Sequence, residues 1–134
     1  MQAIPQVLGV KSDTKILIVE DHRDSREALR ALFEAYGYQV VEAHNGRVAI
    51  ERARSDRPNL ILMDIMMPEL DGFDAARHIR AIPGHEQTPI IAVSALEDAH
   101  QLALEAGMSD YVRKPVDIRG LLNKVSSWLE PTAA

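Results

Sequence analysis

Short apolar runs, each closed by a polar residue, constrain this chain more than any other feature. They occur in "KILIVE" at 15–20, "YQVVEA" at 38–43, "NLILMD" at 59–64, "IIAVSA" at 90–95 and "DYVRK" at 110–114. Runs of this length, bounded by charge or turn residues, suit strands buried on both faces. The stretches between them change period. In "DSREALRALFEAYG", Ala28, Leu29, Leu32, Phe33 and Tyr36 fall on one helical stripe, with Asp24 or Ser25 placed to cap it and Gly37 to end it. "GRVAIERARSD" is a weaker helix, and Phe73, Ala76 and Ile79 space another over "GFDAARHIRAI". "EDAHQLALEAG" is helical up to Gly107, and Ile118, Leu121, Leu122, Val125 and Leu129 mark a last helix.

Five strands alternating with five helices predict an α/β fold with a doubly wound parallel sheet, because each crossover must lay a helix on one face. A chain of 134 residues is the size of one compact domain. We expect residues 1–14 to be a flexible N-terminal lead-in, 15–130 the domain and 131–134 a C-terminal tail. Hydrophobic residues at 46% and charged residues at 26% are too apolar a balance for disorder. The formal net charge of -5 opposes phosphate backbones, so no direct nucleic-acid binding is expected. No apolar run is long enough to cross a membrane and no signal pattern opens the chain, so a cytoplasmic protein is expected. Without Cys, thiolate chemistry is excluded. The five His show no paired ligand spacing and are expected to be solvated; Trp128 is expected to be a partly buried anchor.

In an open parallel sheet, ligands gather beyond the carboxyl ends of the strands. There the first strand ends in Glu20 and Asp21, the third in Asp64, the fourth in Ser94, and the fifth in Lys114 followed by Pro115. Three carboxylates close together repel, so one holds a proton unless a cation intervenes. An all-oxygen set with few protein ligands matches the habit of Mg²⁺. A divalent cation, a lysine and a hydroxyl around a carboxylate form a place to neutralise phosphoryl oxygens, with Asp64 as the nucleophile. The charge gained would draw Lys114 and Ser94 inward and move the loops they begin.

In their order, the acidic pair Glu20-Asp21, "LMDIMMPELDG" around Asp64, Ser94-Ala95 and "YVRKP" resemble the receiver domain of bacterial two-component response regulators, over roughly residues 15–129. The resemblance implies a flavodoxin-like sheet in the order 2-1-3-4-5. It implies Asp64 as the phosphoacceptor, served by a phosphohistidine of a histidine kinase or phosphotransfer protein. Glu20, Asp21, Asp64 and the backbone carbonyl of Met66 would hold Mg²⁺. Ser94 and Lys114 would bind phosphoryl oxygens, Tyr111 would swing with Ser94, and Lys114-Pro115 would be cis. Ser94 stands where the family often has Thr, and Glu20 where it often has Asp. Met66, two residues past Asp64, would influence hydrolysis of the phosphoryl group.

The implied protein is a signalling switch and not an enzyme, beyond assisting its own phosphorylation and slow autodephosphorylation. It would act by protein contact through the face of the fourth helix, fifth strand and fifth helix, with a phosphorylation-linked homodimer as one form. A receiver module of a larger hybrid kinase or regulator and a non-phosphorylated docking receiver are the alternatives. A haloacid-dehalogenase-type phosphatase is disfavoured because Met66 stands where its second Asp would be. A flavodoxin-like flavin carrier is disfavoured because "EDHRDS" is acidic where a phosphate loop would lie.

Overall fold

The computed structural model describes residues 13–67, 71–96 and 99–130. Its elements alternate as β1 (Lys15–Val19), α1 (Arg23–Ala35), β2 (Gln39–Ala43), α2 (Gly46–Asp56), β3 (Leu60–Asp64), α3 (Gly72–Arg80), β4 (Ile90–Ser94), α4 (Ala99–Glu105), β5 (Asp110–Arg113) and α5 (Ile118–Leu129). The strands form one parallel sheet in the order β2-β1-β3-β4-β5. The doubly wound architecture is the one expected from the apolar pattern, and the strand order is the one the resemblance implies.

The apolar runs divide by parity, because successive side chains of a strand point to opposite faces. Leu17, Val19, Ile61, Met63, Ile90 and Ala92 pack with α2, α3 and α4 through Ala49, Ala53, Ala75, Ala76, Ile79 and Ala103. Ile16, Ile18, Leu60, Leu62 and Ile91 pack on the other face with Phe33 of α1 and Leu121 and Val125 of α5. The three-helix face relies on alanines, which let helices lie close to the sheet. The two-helix face is filled by larger side chains, including an edge-on Phe33–Tyr38 ring pair with centroids 5.9 Å apart.

Several local expectations differ from the structure. α1 begins at Arg23, ahead of the expected caps Asp24 and Ser25, and the His22 side chain makes no capping bond. The Glu20 carboxylate accepts a hydrogen bond from the His22 N–H at 3.0 Å instead, so the strand-end acid organises the helix start. Within the stripe, Leu29, Leu32, Phe33 and Tyr36 meet the core, whereas Ala28 faces solvent. The third helix stops at Arg80, two residues short of the expected Ile82, in a tight turn in which Ala81 and Ile82 donate to the carbonyls of His78 and Ile79. Of the lead-in, residues 1–12 lie outside the described residues, as does the 131–134 tail. Thr14 is already tied to the sheet, its carbonyl accepting from Gln39 N–H at 2.9 Å.

The expectation of five solvated histidines fails at one. His22, His44, His78 and His100 are exposed. His85 is buried, with Nδ1 2.7 Å from Thr88 Oγ1 and Nε2 2.7 Å from the Ala53 carbonyl. The Pro83-Gly84 turn folds this segment back under α2, a tertiary contact that no local period announces. Beside it the Arg80 guanidinium donates to the carbonyls of Gly107, His85 and Thr88 and to Ser109 Oγ, so one cation closes two loops. Trp128 is exposed, not partly buried, and its Nε1–H donates to Asp110 Oδ2 at 2.9 Å.

Phe33 is wholly buried where α1 meets the sheet. Phe33→Ala should therefore cost about 3–5 kcal/mol, read as a lowered urea midpoint at unchanged slope.

Candidate functional site

Strand register brings the predicted site residues to one rim. Val19 pairs with Ala43 and Met63, Asp64 with Val93, and Ser94 with Arg113. Glu20, Asp64, Ser94 and Lys114 thus emerge at the same end of four adjacent strands. The ladder is carried past the strand ends by Glu20 N–H donating to the Ala43 carbonyl at 3.0 Å and Lys114 N–H donating to the Ser94 carbonyl at 2.8 Å.

Carboxylate oxygens of Glu20, Asp21 and Asp64 lie within 4.8 Å of one another. Glu20 and Asp64 are buried and Asp21 is exposed. Lys114 Nζ donates to Glu20 Oε1 at 3.2 Å and stands 3.7 Å from Asp64 Oδ2. Asp64 Oδ1 accepts from Met66 N–H at 3.1 Å. Burial raises the Asp64 pKa first, and the charge of Glu20 adds to it, bringing the group to about 6 despite Lys114 and the Met66 amide. Lys114 responds in the opposite sense: burial lowers its pKa, but Asp64 and Glu20 outweigh that and hold it above the ordinary lysine value. One lysine does not balance three acids, and the residual negative charge among oxygen donors fits a hard divalent cation of the Mg²⁺ kind.

Ser94 is buried and its Oγ accepts from Leu96 N–H at 3.2 Å, so the hydroxyl organises the β4–α4 loop. Tyr111 joins the same loop rather than the acid cluster: its hydroxyl donates to the Leu96 carbonyl, and its ring stacks on His100 with centroids 5.7 Å apart. The Lys114-Pro115 peptide is cis. Met66 is 57% exposed and flanks a cleft of about 400 Å³ lined also by Ile65, Met67, Asp71, Phe73 and Leu96.

A family model described as the response regulator receiver domain matches residues 16–126. The chain belongs to this family. As a receiver domain it is 37% identical over 115 residues to an uncharacterized 14.6 kDa protein of Leptolyngbya boryana, covering 84% of this chain and 88% of that protein. It is also 37% identical over 120 residues to the response regulator MprA of Mycobacterium ulcerans. That match covers 88% of this chain and 51% of MprA, so the receiver spans about half the length of this relative. Among solved structures, the chemotaxis protein CheY4 of Vibrio cholerae superposes with a TM-score of 0.83 at 26% identity, over 87% of this chain and 99% of CheY4. The receiver domain of a sensor histidine kinase from Pseudomonas aeruginosa, solved with a magnesium ion in its active-site cleft, gives 0.81 at 35% identity, over 87% and 98%.

One residue of the site was not singled out in the sequence. Gly72 N–H donates to the Ile65 carbonyl at 3.0 Å, and a Cβ on Gly72 would lie 2.7 Å from the Asp64 carbonyl oxygen and 2.8 Å from Ile65 Cα. The start of α3 therefore presses on the backbone that carries Asp64, and only glycine permits the approach. The available signal was the pair Asp71-Gly72, a helix cap followed by a residue without a side chain; the Asp71 carboxylate accepts from Asp74 N–H at 2.9 Å.

Two outcomes follow. Gly72→Ala should displace the Asp64 segment and lower Mg²⁺ affinity, measured by cation titration, as well as the unfolding midpoint. Because folding raises the Asp64 pKa, the folded chain binds the extra proton between about pH 4 and 6. Stability should fall as pH rises through that window, where the ionised group becomes unfavourable. With chelator present, Asp64→Asn should therefore be more stable than the parent at pH 7.5, by on the order of 1–3 kcal/mol, and should lose that advantage below about pH 4 in urea titrations.

Proposed function

We propose that this receiver domain accepts a phosphoryl group on Asp64 from a phosphohistidine of a histidine kinase or phosphotransfer protein, and that the aspartyl phosphate is the signal. The reading is carried by one observation: a buried carboxylate of raised pKa, with two further carboxylates and a lysine around it at the open rim of a parallel sheet.

In the transfer, an Asp64 oxygen forms a bond to phosphorus as the phosphorus–nitrogen bond of the donor breaks, and the bonding pair returns to the imidazole nitrogen. Asp64 must be ionised to attack. Its raised pKa marks an anion that burial and Glu20 disfavour, and one that added positive charge restores. Glu20, Asp21, Asp64 and the Met66 carbonyl would hold Mg²⁺, which when bound supplies charge compensation for the phosphoryl oxygens. Lys114, now shared between Glu20 and Asp64, is within reach of a group on Asp64. Ser94 offers the hydroxyl at the adjacent strand end.

Phosphorylation would pull Lys114 and Ser94 toward the new charge. Ser94 holds Leu96 N–H, and Tyr111 holds the Leu96 carbonyl, so moving Ser94 disturbs the tyrosine through one shared loop residue. The affected surface is the α4–β5–α5 face, where Leu102, Leu104 and Trp128 are exposed to a protein partner or a second copy. This protein contact in the cytoplasm, and not DNA binding by this chain, is the proposed output.

Incubation with acetyl phosphate and Mg²⁺ should add one phosphoryl group by intact mass. Chelator or Asp64→Asn should abolish the gain, and Lys114→Ala should reduce it at least tenfold. A gain that survives Asp64→Asn would assign the modification elsewhere and remove this function.

A further inference from the structure

Glu20 is held at every polar group. Its N–H donates to the Ala43 carbonyl, and its carboxylate takes the His22 N–H and Lys114 Nζ. The remaining group, its carbonyl, accepts from Arg26 Nη1 at 3.0 Å. Arg26 also binds Glu42 on the edge strand β2, Nε to Oε1 at 2.7 Å, and Arg30 binds the other oxygen of Glu42, Nη1 to Oε2 at 2.6 Å. This group differs from the other charge pairs of α1. The Arg26 side chain is 16% exposed and that of Glu42 22%, whereas Arg23 and Glu27, one turn along the same helix, are at 78% and 53%.

We propose that Arg26 is a positioning residue for the cation site, fixing the peptide between Glu20 and Asp21 so that both carboxylates face Asp64. The inference rests on the Mg²⁺ reading of the acid cluster. Glu20 and Asp21 share a peptide plane, so rotation of the Glu20 carbonyl swings the Asp21 backbone and with it an exposed carboxylate that has few other restraints. Glu42 orients the guanidinium from one side through Nε while Nη1 reaches the carbonyl. That two-point grip needs the planar fork of arginine; a lysine offers a point charge and can serve one acceptor well but not both in this geometry. Supports that orient ligands without touching the metal commonly change its affinity by about 10–100-fold.

The test is direct cation binding. Mn²⁺ titration followed by electron paramagnetic resonance, with Mg²⁺ competition, gives an affinity independent of phosphorylation. Arg26→Ala should weaken both cations by about tenfold, Arg26→Lys should recover little of the loss, and Glu42→Gln should fall between Arg26→Ala and the parent. Arg23→Ala should match the parent. Val40→Ala, a core truncation at the other end of β2's pairing with β1, supplies a variant of lowered urea midpoint; its cation affinity should be unchanged, which separates positioning from general destabilisation. Arg26→Ala within twofold of the parent, or Val40→Ala losing affinity in proportion to its stability, would overturn the role of Arg26 alone. A parent protein that binds neither cation would overturn the cation reading and this inference with it.

Discussion

Parallel pairing forces all five strands to end at one rim, and everything chemical about this chain depends on that. In an antiparallel sheet of the same apolar runs, Glu20, Asp64, Ser94 and Lys114 would be distributed between two ends. Here the register from Val19 to Met63, Asp64 to Val93 and Ser94 to Arg113 sets them on neighbouring strands, within reach of one another without a long loop. The rigidity of the site is the rigidity of the sheet. Two packed faces hold the strands from both sides, so Glu20 and Asp64 can be buried at the rim.

Placing three carboxylates together has a cost that the fold itself must carry. Burial and the charge of Glu20 disfavour the Asp64 anion, and Lys114 offsets only part of this. A sequence selected for stability alone would replace one of these acids by an amide. The arrangement makes sense where a cation or a phosphoryl group is part of the working state, since each relieves or uses the same unfavourable field.

The rim and the sheet were legible because they depend on local signals. A four-residue apolar run followed by a carboxylate reads as a buried strand reaching a crevice, and this holds at Asp64 and again at Glu20. Contacts distant in sequence were not legible. His85 lies just past the Pro83-Gly84 turn and outside any helix, and its burial comes from that turn carrying it to the Ala53 carbonyl, 32 residues earlier. The start of α1 is hidden for a related reason: Asp24 and Ser25 have the right chemistry for a cap, yet Glu20 fixes the preceding turn through His22 N–H and the helix begins at Arg23. The pair Asp71-Gly72 marks a helix start but not the role of Gly72, which is the lack of a side chain against the backbone of Asp64, a requirement set by the approach of α3 to β3.

A small charge change at the rim can reach a distant surface through Leu96. Leu96 links two side chains from different strands, its N–H held by Ser94 and its carbonyl by Tyr111. Neither bond belongs to a helix or a strand ladder, so breaking them costs less than deforming the sheet. If Ser94 leaves its bond to serve a phosphoryl oxygen, the Leu96 N–H loses that partner and the Leu96 carbonyl held by Tyr111 is freer to move, carrying the tyrosine with it. The sheet therefore holds the chemistry in place, and the two hydrogen bonds at Leu96, which belong to no helix or strand ladder, are where the added charge would be converted into a change of shape.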